Sequence, residues 1–281
     1  MRSSSPDHGP KNHAPGQASG PQDHCRSSDH CPGRLIVLGL GPGQRELLAP
    51  MAHQALVTAQ AIVGYDRYVD LVDPELLVGK TVFSSPMTKE LKRTAQAVDY
   101  ALQGLNTVVV SSGDSGIYGM AGLVLEYLER KNLDQNIDLE IIPGIPALAA
   151  AAALLGAPLM HDFASISLSD LMTPLELIMR RVQKALEADF VLVLYNPRSR
   201  KRHAYLTQVL DMALDLQGPE TPIGFVRNAY RPDQEVRVAT LKTCDPEWAD
   251  MLTTIIIGNS NTRLVGPKML TPRGYFEKYQ E

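Results

Sequence analysis

Short apolar runs alternate with stretches of helical period from Arg34 onward. Leu35–Leu38 is apolar and ends in Gly39-Leu40-Gly41-Pro42-Gly43, and Glu46 to Ala59 carries its apolar residues at helical spacing. Ala61–Val63 reads as a strand closed by Gly64-Tyr65-Asp66. Lys89 to Leu102 reads as a helix, Thr107–Val110 as a strand, Met120 to Arg130 as a helix and Leu139–Ile142 as a strand stopped by Pro143-Gly144. Short apolar strands separated by amphipathic helices predict a mainly parallel sheet covered on both faces.

The second half has a different rhythm. Helical patterns at Leu175–Leu186 and Ala204–Leu214 separate strands at Phe190–Tyr195 and Ile223–Arg227. Glu235–Ala239 and Thr253–Ile257 follow as strands, with only the turn Asn228–Asp233 between Ile223–Arg227 and Glu235–Ala239. That turn predicts an antiparallel pair and therefore a mixed sheet. The expected organisation is two α/β domains, residues 34–143 and 144–281, after a tail of residues 1–33. No internal repeat is apparent.

The tail is rich in Ser, Pro, Gly, Asp and His and nearly devoid of aliphatic side chains. Such a composition buries too little apolar area to offset its ordering entropy, so disorder is expected. It holds His8, His13, His24 and His30 together with Cys25 and Cys31. The His-Cys pairs are borderline-soft ligands suited to Zn, Co or Ni, but a tail lacks the rigid surroundings that fix a site. A solvated tail is therefore the reading, with a metal-handling arm as the alternative and no metal site expected.

Composition narrows the partners. The chain has 281 residues, 44% of them hydrophobic, and carries 27 basic and 31 acidic side chains for a net charge of −4. No general attraction to nucleic acid or anionic membrane follows from that balance. The apolar window Ile141 to Met160 is interrupted by Pro143, Pro146 and Pro158, so no run reaches the ~18–20 residues of a membrane span. No secretory h-region is visible, and three cysteines make no disulfide framework, which fits a reducing cytoplasm.

The densest candidate chemistry is Ser111-Ser112-Gly113-Asp114-Ser115-Gly116-Ile117-Tyr118-Gly119, at a strand-to-helix junction. Glycines there let a ligand approach the backbone, and strand ends of this kind are where open α/β sheets bind ligands. A capped surface loop has the same spacing. The GLGPG loop at 39–43 is an imperfect dinucleotide fingerprint, with its third glycine one residue early and Pro42 in the turn. A nicotinamide-binding reading on that loop is weak, and no phosphate-transfer loop is present. His161-Asp162 reads either as an acid/base pair or as an ordinary histidine at a strand start. Arg198, Arg200, Lys201 and Arg202 follow a buried strand, where guanidinium forks suit acidic ligands. A solvated helix start is the alternative, although cations oppose the helix dipole there.

Eight segments in order carry a resemblance. They are LGLGPG (38–43), AIVGYDRYV (61–69), SSGDSGIYGMAG (111–122), IIPGIPALAAAAALLGAPL (141–159), HDFASISLSDLMTP (161–174), LYNPRSRKR (194–202), FVRNAYRPDQ (225–234) and IIIGNSNTR (255–263). Together they resemble the tetrapyrrole methylases over about residues 34–265, with the last residues of the chain and the tail outside. HDFASISLSD, LYNPRSRKR and IIIGNSNTR are most similar to the branch that methylates C17 of precorrin-3B, or of cobalt-factor III.

The resemblance implies a fold of two α/β domains with a cleft between them for folded S-adenosylmethionine, released as S-adenosylhomocysteine. Pro42, Ser112, Gly113, Asp114, Ile117, Pro146, Ala147, Asn196 and Ala229 match its cofactor positions. Pro146 and Ala147 are the pair where many relatives carry a hydroxyl residue, Asn196 stands where methionine is frequent, and Ala229 where glycine is frequent. A Cβ at Ala229 requires negative φ, or a ligand sitting further off. Asp66 and Lys80 match a proposed proton-moving pair, and His161, Asp170 and Tyr118 are further acid/base candidates. Arg198, Arg200 and Arg202, with Lys201, would form a rim for a polycarboxylate substrate. The implied reaction is methyl transfer to C17 of precorrin-3B with ring contraction to precorrin-4, in a cytoplasmic homodimer. Methyl transfer by positioning needs no protein nucleophile. The alternatives are cobalt-factor III as substrate and a non-catalytic tetrapyrrole-binding or channelling module.

Overall fold

The computed structural model describes residues 33–199 and 204–279. The tail with its His-Cys pairs, and Arg200, Lys201 and Arg202, lie outside the described residues. These described residues pack as one compact unit.

The first sheet is built from β1 (Arg34–Gly39), β2 (Ala61–Tyr65), β3 (Thr81–Ser85), β4 (Thr107–Ser111) and β5 (Asp138–Ile142), in the order β3-β2-β4-β1-β5. All four pairings are parallel. Helices α1 (Pro50–Thr58), α2 (Asp66–Val69), α3 (Glu90–Leu102) and α4 (Ala121–Lys131) connect these strands. Alternation along the strands then decides the packing. Ile36, Leu38, Ile62, Val108 and Val110 pack with α1 on one face. Leu35, Val37, Val63 and Val109 pack with α3 and α4 on the other. A parallel sheet buried on both faces accounts for the unbroken apolar strands.

One expected helix splits. Residues 46–59 were legible as one periodic stretch, but Arg45–Leu47 forms a single 3₁₀ turn and α1 begins only at Pro50. Proline drives its predecessor out of the helical region, and Ala49 is extended at φ −60°, ψ 138°. The proline ring then starts α1, where its missing N–H is no loss.

After β5 the chain forms α5 (Ala147–Leu155), β6 (Gly156–Ala157), β7 (Phe163–Ser167), α6 (Leu175–Glu187), β8 (Val191–Tyr195), α7 (Ala204–Gln217), β9 (Pro222–Arg227), β10 (Glu235–Thr240) and β11 (Thr253–Ile257). The second sheet runs β10-β9-β11-β8-β7. Its β7–β8 pair is parallel and the other three are antiparallel, the mixed sheet that the Asn228–Asp233 turn predicts. Helices α6 and α7 cover one face through Ile178, Val182, Leu206 and Val209. Helix α5 covers the other through Ala151 and Leu155, against Val193, Val226 and Ile256. A small third sheet of β12 (Arg263–Val265), β13 (Lys268–Leu270) and β6, followed by α8 (Tyr275–Lys278), has no counterpart in the sequence reading.

The strand order of the first sheet positions the site. From β1 the chain moves toward β2, and from β4 it moves the opposite way to β5, so neighbours β1 and β4 flank a switch point. Ligands of open α/β sheets bind outside the carboxyl ends of strands at such a point.

Candidate functional site

Three backbone segments meet at that switch point. The Gly113 N–H donates to the Gly41 carbonyl at 2.7 Å, and the Gly41 N–H donates back to the Gly113 carbonyl at 3.0 Å. This bridge clasps the loops after β1 and β4. Gly39 and Gly144 crowd the same carbonyl. A Cβ on Gly39 would lie 2.4 Å from the Gly113 oxygen, and one on Gly144 would lie 2.1 Å from it. Gly113 itself has φ +68°, the left-handed region that favours glycine.

Asp114 organises the loop that follows. Its Oδ1 accepts the Gly116 N–H at 2.8 Å and the Ile117 N–H at 3.1 Å, while Oδ2 accepts the Gly144 N–H at 3.0 Å. The carboxylate is thus held by three backbone donors. Tyr118, with left-handed φ of 54°, lays its ring 5.0 Å from that of Tyr195 and donates its hydroxyl to the Ser165 carbonyl at 3.0 Å. The Tyr195 hydroxyl accepts the Leu148 N–H at 2.9 Å in the first turn of α5. Burial pushes the Tyr195 phenol up to about 12, with the Leu148 hydrogen bond opposing.

These elements line a cleft of about 940 Å³, counting its open mouth. All nine positions matched to cofactor binding line it: Pro42, Ser112, Gly113, Asp114, Ile117, Pro146, Ala147, Asn196 and Ala229. Tyr118 lines it as well. Asn196 closes β8 with φ 51° and donates Nδ2 to the Ser167 hydroxyl at 2.9 Å. Ala229 avoids positive φ, although its neighbours Asn228 (49°) and Tyr230 (55°) adopt it, so its Cβ is accommodated.

Sequence reasoning missed Tyr68, Asn228, Arg231, Met251 and Thr253, which line the same cleft. Asn228 and Arg231 belong to the FVRNAYRPDQ segment, where only Ala229 was singled out. Arg231 crosses from the second sheet to the first. Its Nε donates to the Pro42 carbonyl at 2.7 Å and its Nη2 to the Ser112 hydroxyl at 2.8 Å. Burial lowers the Arg231 pKa and raises that of Tyr68 nearby.

Other expected residues lie off the cleft. Asp66 opens α2, two residues before cleft-lining Tyr68. Lys80 forms no ion pair with it among the described residues. Instead its Nζ donates to the carbonyls of Leu56, in a short contact, and Val57, at 2.8 Å, at the end of α1. This is a helix C-terminal cap, and the expected proton-moving partnership has no support in the geometry. His161 is half-exposed, its Nδ1 accepting the Asp162 N–H at 2.8 Å with the Asp162 carboxylate 3.7 Å away. Asp170 accepts the Tyr205 hydroxyl at 2.8 Å. Arg198 pairs with Glu247, which the 3₁₀ turn Pro246–Trp248 brings to it, and its side chain is only 14% exposed. Within the fold, then, Arg198 already has a carboxylate partner.

Residues 34–245 match the family model of the tetrapyrrole (corrin/porphyrin) methylases. The chain belongs to the tetrapyrrole methylases. It is 45% identical over 242 residues to a probable cobalt-factor III C(17)-methyltransferase of Salmonella typhimurium, covering 86% of this chain and 99% of that protein. It is 38% identical over 249 residues to a precorrin-3B C(17)-methyltransferase of Sinorhizobium sp, covering 86% of this chain and 97% of that one. The crystal structure of the methyltransferase CobJ superposes with a TM-score of 0.81 at 41% identity, covering 85% of this chain and 100% of that chain. Against longer curated relatives the chain spans about half their length, 46% in one case and 54% in another. As in other tetrapyrrole methylases, the α/β fold of this chain is a methyltransferase fold. Among the described residues no helix is long and apolar enough to cross a membrane.

Proposed function

We propose that this chain transfers a methyl group from S-adenosylmethionine to C17 of precorrin-3B, with contraction of the macrocycle to precorrin-4. The observation that carries the reading is the convergence of nine separately matched positions, from five stretches of sequence, on one cleft.

The donor set fits such a cofactor. Gly113 is at φ +68°, and a Cβ added there would already be in van der Waals contact with the Ala147, Pro146 and Ile145 backbone at 3.6–3.8 Å, so only a glycine leaves that space to a ligand. The Ala147 N–H, first in α5, has no partner among the described residues. Pro42, Ile117, Val226 and Met251 supply apolar walls, while Asp114 and Arg231 are the charged side chains among the lining residues. An apolar heterocycle with a zwitterionic end suits that combination. When bound, the cofactor supplies an electrophilic methyl group.

The protein's own contribution is placement. Asp114 fixes the loop backbone, the Gly41–Gly113 bridge sets the floor, and the Tyr118–Tyr195 pair walls the side toward β7. Holding two reactants in line can supply several kcal/mol without a protein nucleophile. Asp66, at the carboxyl end of β2, is the proposed proton carrier. The reading treats residues 34–143 and 144–281 as domains flanking the cofactor, in a cytoplasmic homodimer.

A second substrate has a specific observation in its favour. The relative named for cobalt-factor III is 45% identical and the one named for precorrin-3B is 38% identical. Incubation with methyl-labelled cofactor and either the metal-free or the cobalt-bearing substrate decides between them. Label at C17 of the metal-free ring, with contraction, supports the proposal. Label on the cobalt form alone transfers it to cobalt-factor III. Binding of a nicotinamide dinucleotide with no heat from S-adenosylhomocysteine would sink both.

A further inference from the structure

Arg231 sits in a turn built to present it. Asn228 and Tyr230 adopt left-handed φ of 49° and 55°, uncommon for residues other than glycine. The turn is closed by three internal hydrogen bonds. The Arg231 N–H donates to the Asn228 carbonyl at 3.0 Å, the Gln234 N–H to the Arg231 carbonyl at 3.0 Å, and the Tyr230 N–H to the Gln234 side chain at 2.8 Å. The stem then passes over Gly43, where an added Cβ would lie 3.2 Å from Arg231 Cγ and Nε.

The guanidinium at the end of that stem has unused capacity. Of its five N–H donors, two are taken by Pro42 and Ser112. No carboxylate of the described residues pairs with it, in contrast to Arg198 with Glu247 and Arg227 with Glu235 and Asp250. A half-buried cation without a counter-ion is disfavoured unless a ligand supplies the charge. Both of its neutral partners, Pro42 and Ser112, belong to the loops matched to cofactor binding.

We infer that Arg231 is the carboxylate receptor of the cleft. The inference rests on the methyltransferase reading, because that reading supplies the carboxylates. One source is the amino-acid end of the cofactor, and the other is an acetate or propionate arm of the tetrapyrrole. A planar guanidinium with two of its donors anchored is preoriented to form a fork with either.

Calorimetry on the full chain compares S-adenosylhomocysteine with 5′-methylthioadenosine, which keeps the adenosine thioether and lacks the amino acid. Steady-state kinetics supply the tetrapyrrole KM. In Arg231→Met, a charge-assisted contact predicts about a tenfold loss or more. Loss for S-adenosylhomocysteine with methylthioadenosine unchanged assigns the cofactor carboxylate. A raised tetrapyrrole KM with both adenosine ligands unchanged assigns the substrate carboxylate. Equal weakening of both adenosine ligands reduces Arg231 to a clasp between loops and overturns the inference, as does no change in any ligand. Arg231→Lys keeps the stem and charge but loses the fork, and it reads the same ratios if the Met variant does not fold. Failure of the unsubstituted chain to bind either adenosine ligand removes the methyltransferase reading, and the inference with it.

Discussion

The Oδ2 atom of Asp114 accepts the Gly144 N–H at 3.0 Å, so one side chain joins the loop after β4 to the loop after β5. Its other oxygen holds Gly116 and Ile117. In Asp114→Asn one of those oxygens becomes an amide nitrogen, which cannot accept, and at least one N–H loses its partner. An unsatisfied donor of this kind costs about 1–3 kcal/mol. The expected result is a folded protein with a lower melting temperature and at least roughly tenfold weaker S-adenosylhomocysteine binding. Unchanged affinity would show that the loop holds its shape without the carboxylate.

Asp66 and Lys80 are expected to separate on substitution. Asp66→Asn should bind both ligands and lose turnover, because an amide cannot exchange the proton. Lys80→Met should retain kcat and lower the melting temperature, since its ammonium serves the Leu56 and Val57 carbonyls. Equal losses of kcat in the two variants would restore the proton-moving partnership.

Arg198→Ala should leave the tetrapyrrole KM and S-adenosylhomocysteine affinity unchanged at low salt. A double-mutant cycle with Glu247→Gln should show a stability coupling of about 1 kcal/mol or less, as for ion pairs with one exposed partner. A rise in KM would return Arg198 to the substrate rim.

Alkaline pH should expose Tyr195. Its phenol keeps its proton to about 12 in the folded chain, against an ordinary value of 10.0. Its stabilising contribution is therefore complete below the ordinary value and is lost as pH rises through the folded one. Unfolding free energy measured against pH should decline across that window in the unsubstituted chain. In Tyr195→Phe the decline should be shallower, from a lower starting stability because the Leu148 N–H has lost its acceptor. Parallel curves would contradict the assignment.

The apolar strands were legible because burial on both faces leaves their composition unmixed, as in Val108, Val109 and Val110. Strand β3 was missed because it is an edge strand, with Thr81 and Val82 exposed and no apolar run to mark it. β6, β12 and β13 are two or three residues each, too short for any period. The cleft was legible through motif resemblance, since its loops keep recognisable residues. What escaped was pairing across distance. Arg231 meets Pro42 across 189 positions of sequence and Ser112 across 119, and no local pattern announces a side chain that reaches so far. The Glu247 partner of Arg198 escaped for the same reason, because it lies 49 residues away.

The crowding of Gly39 and Gly144 around the Gly113 carbonyl also shapes how this gene can drift. Neither glycine lines the cleft, yet a single methyl group at either would collide with the same backbone oxygen, which has no rotamer into which to retreat. Relief would require three strand ends to part together, which one codon change cannot arrange. In a saturation library selected for corrinoid production, these two positions should therefore appear as intolerant as the ligand-lining loop itself. A conservation map read without the backbone geometry would mistake them for binding residues.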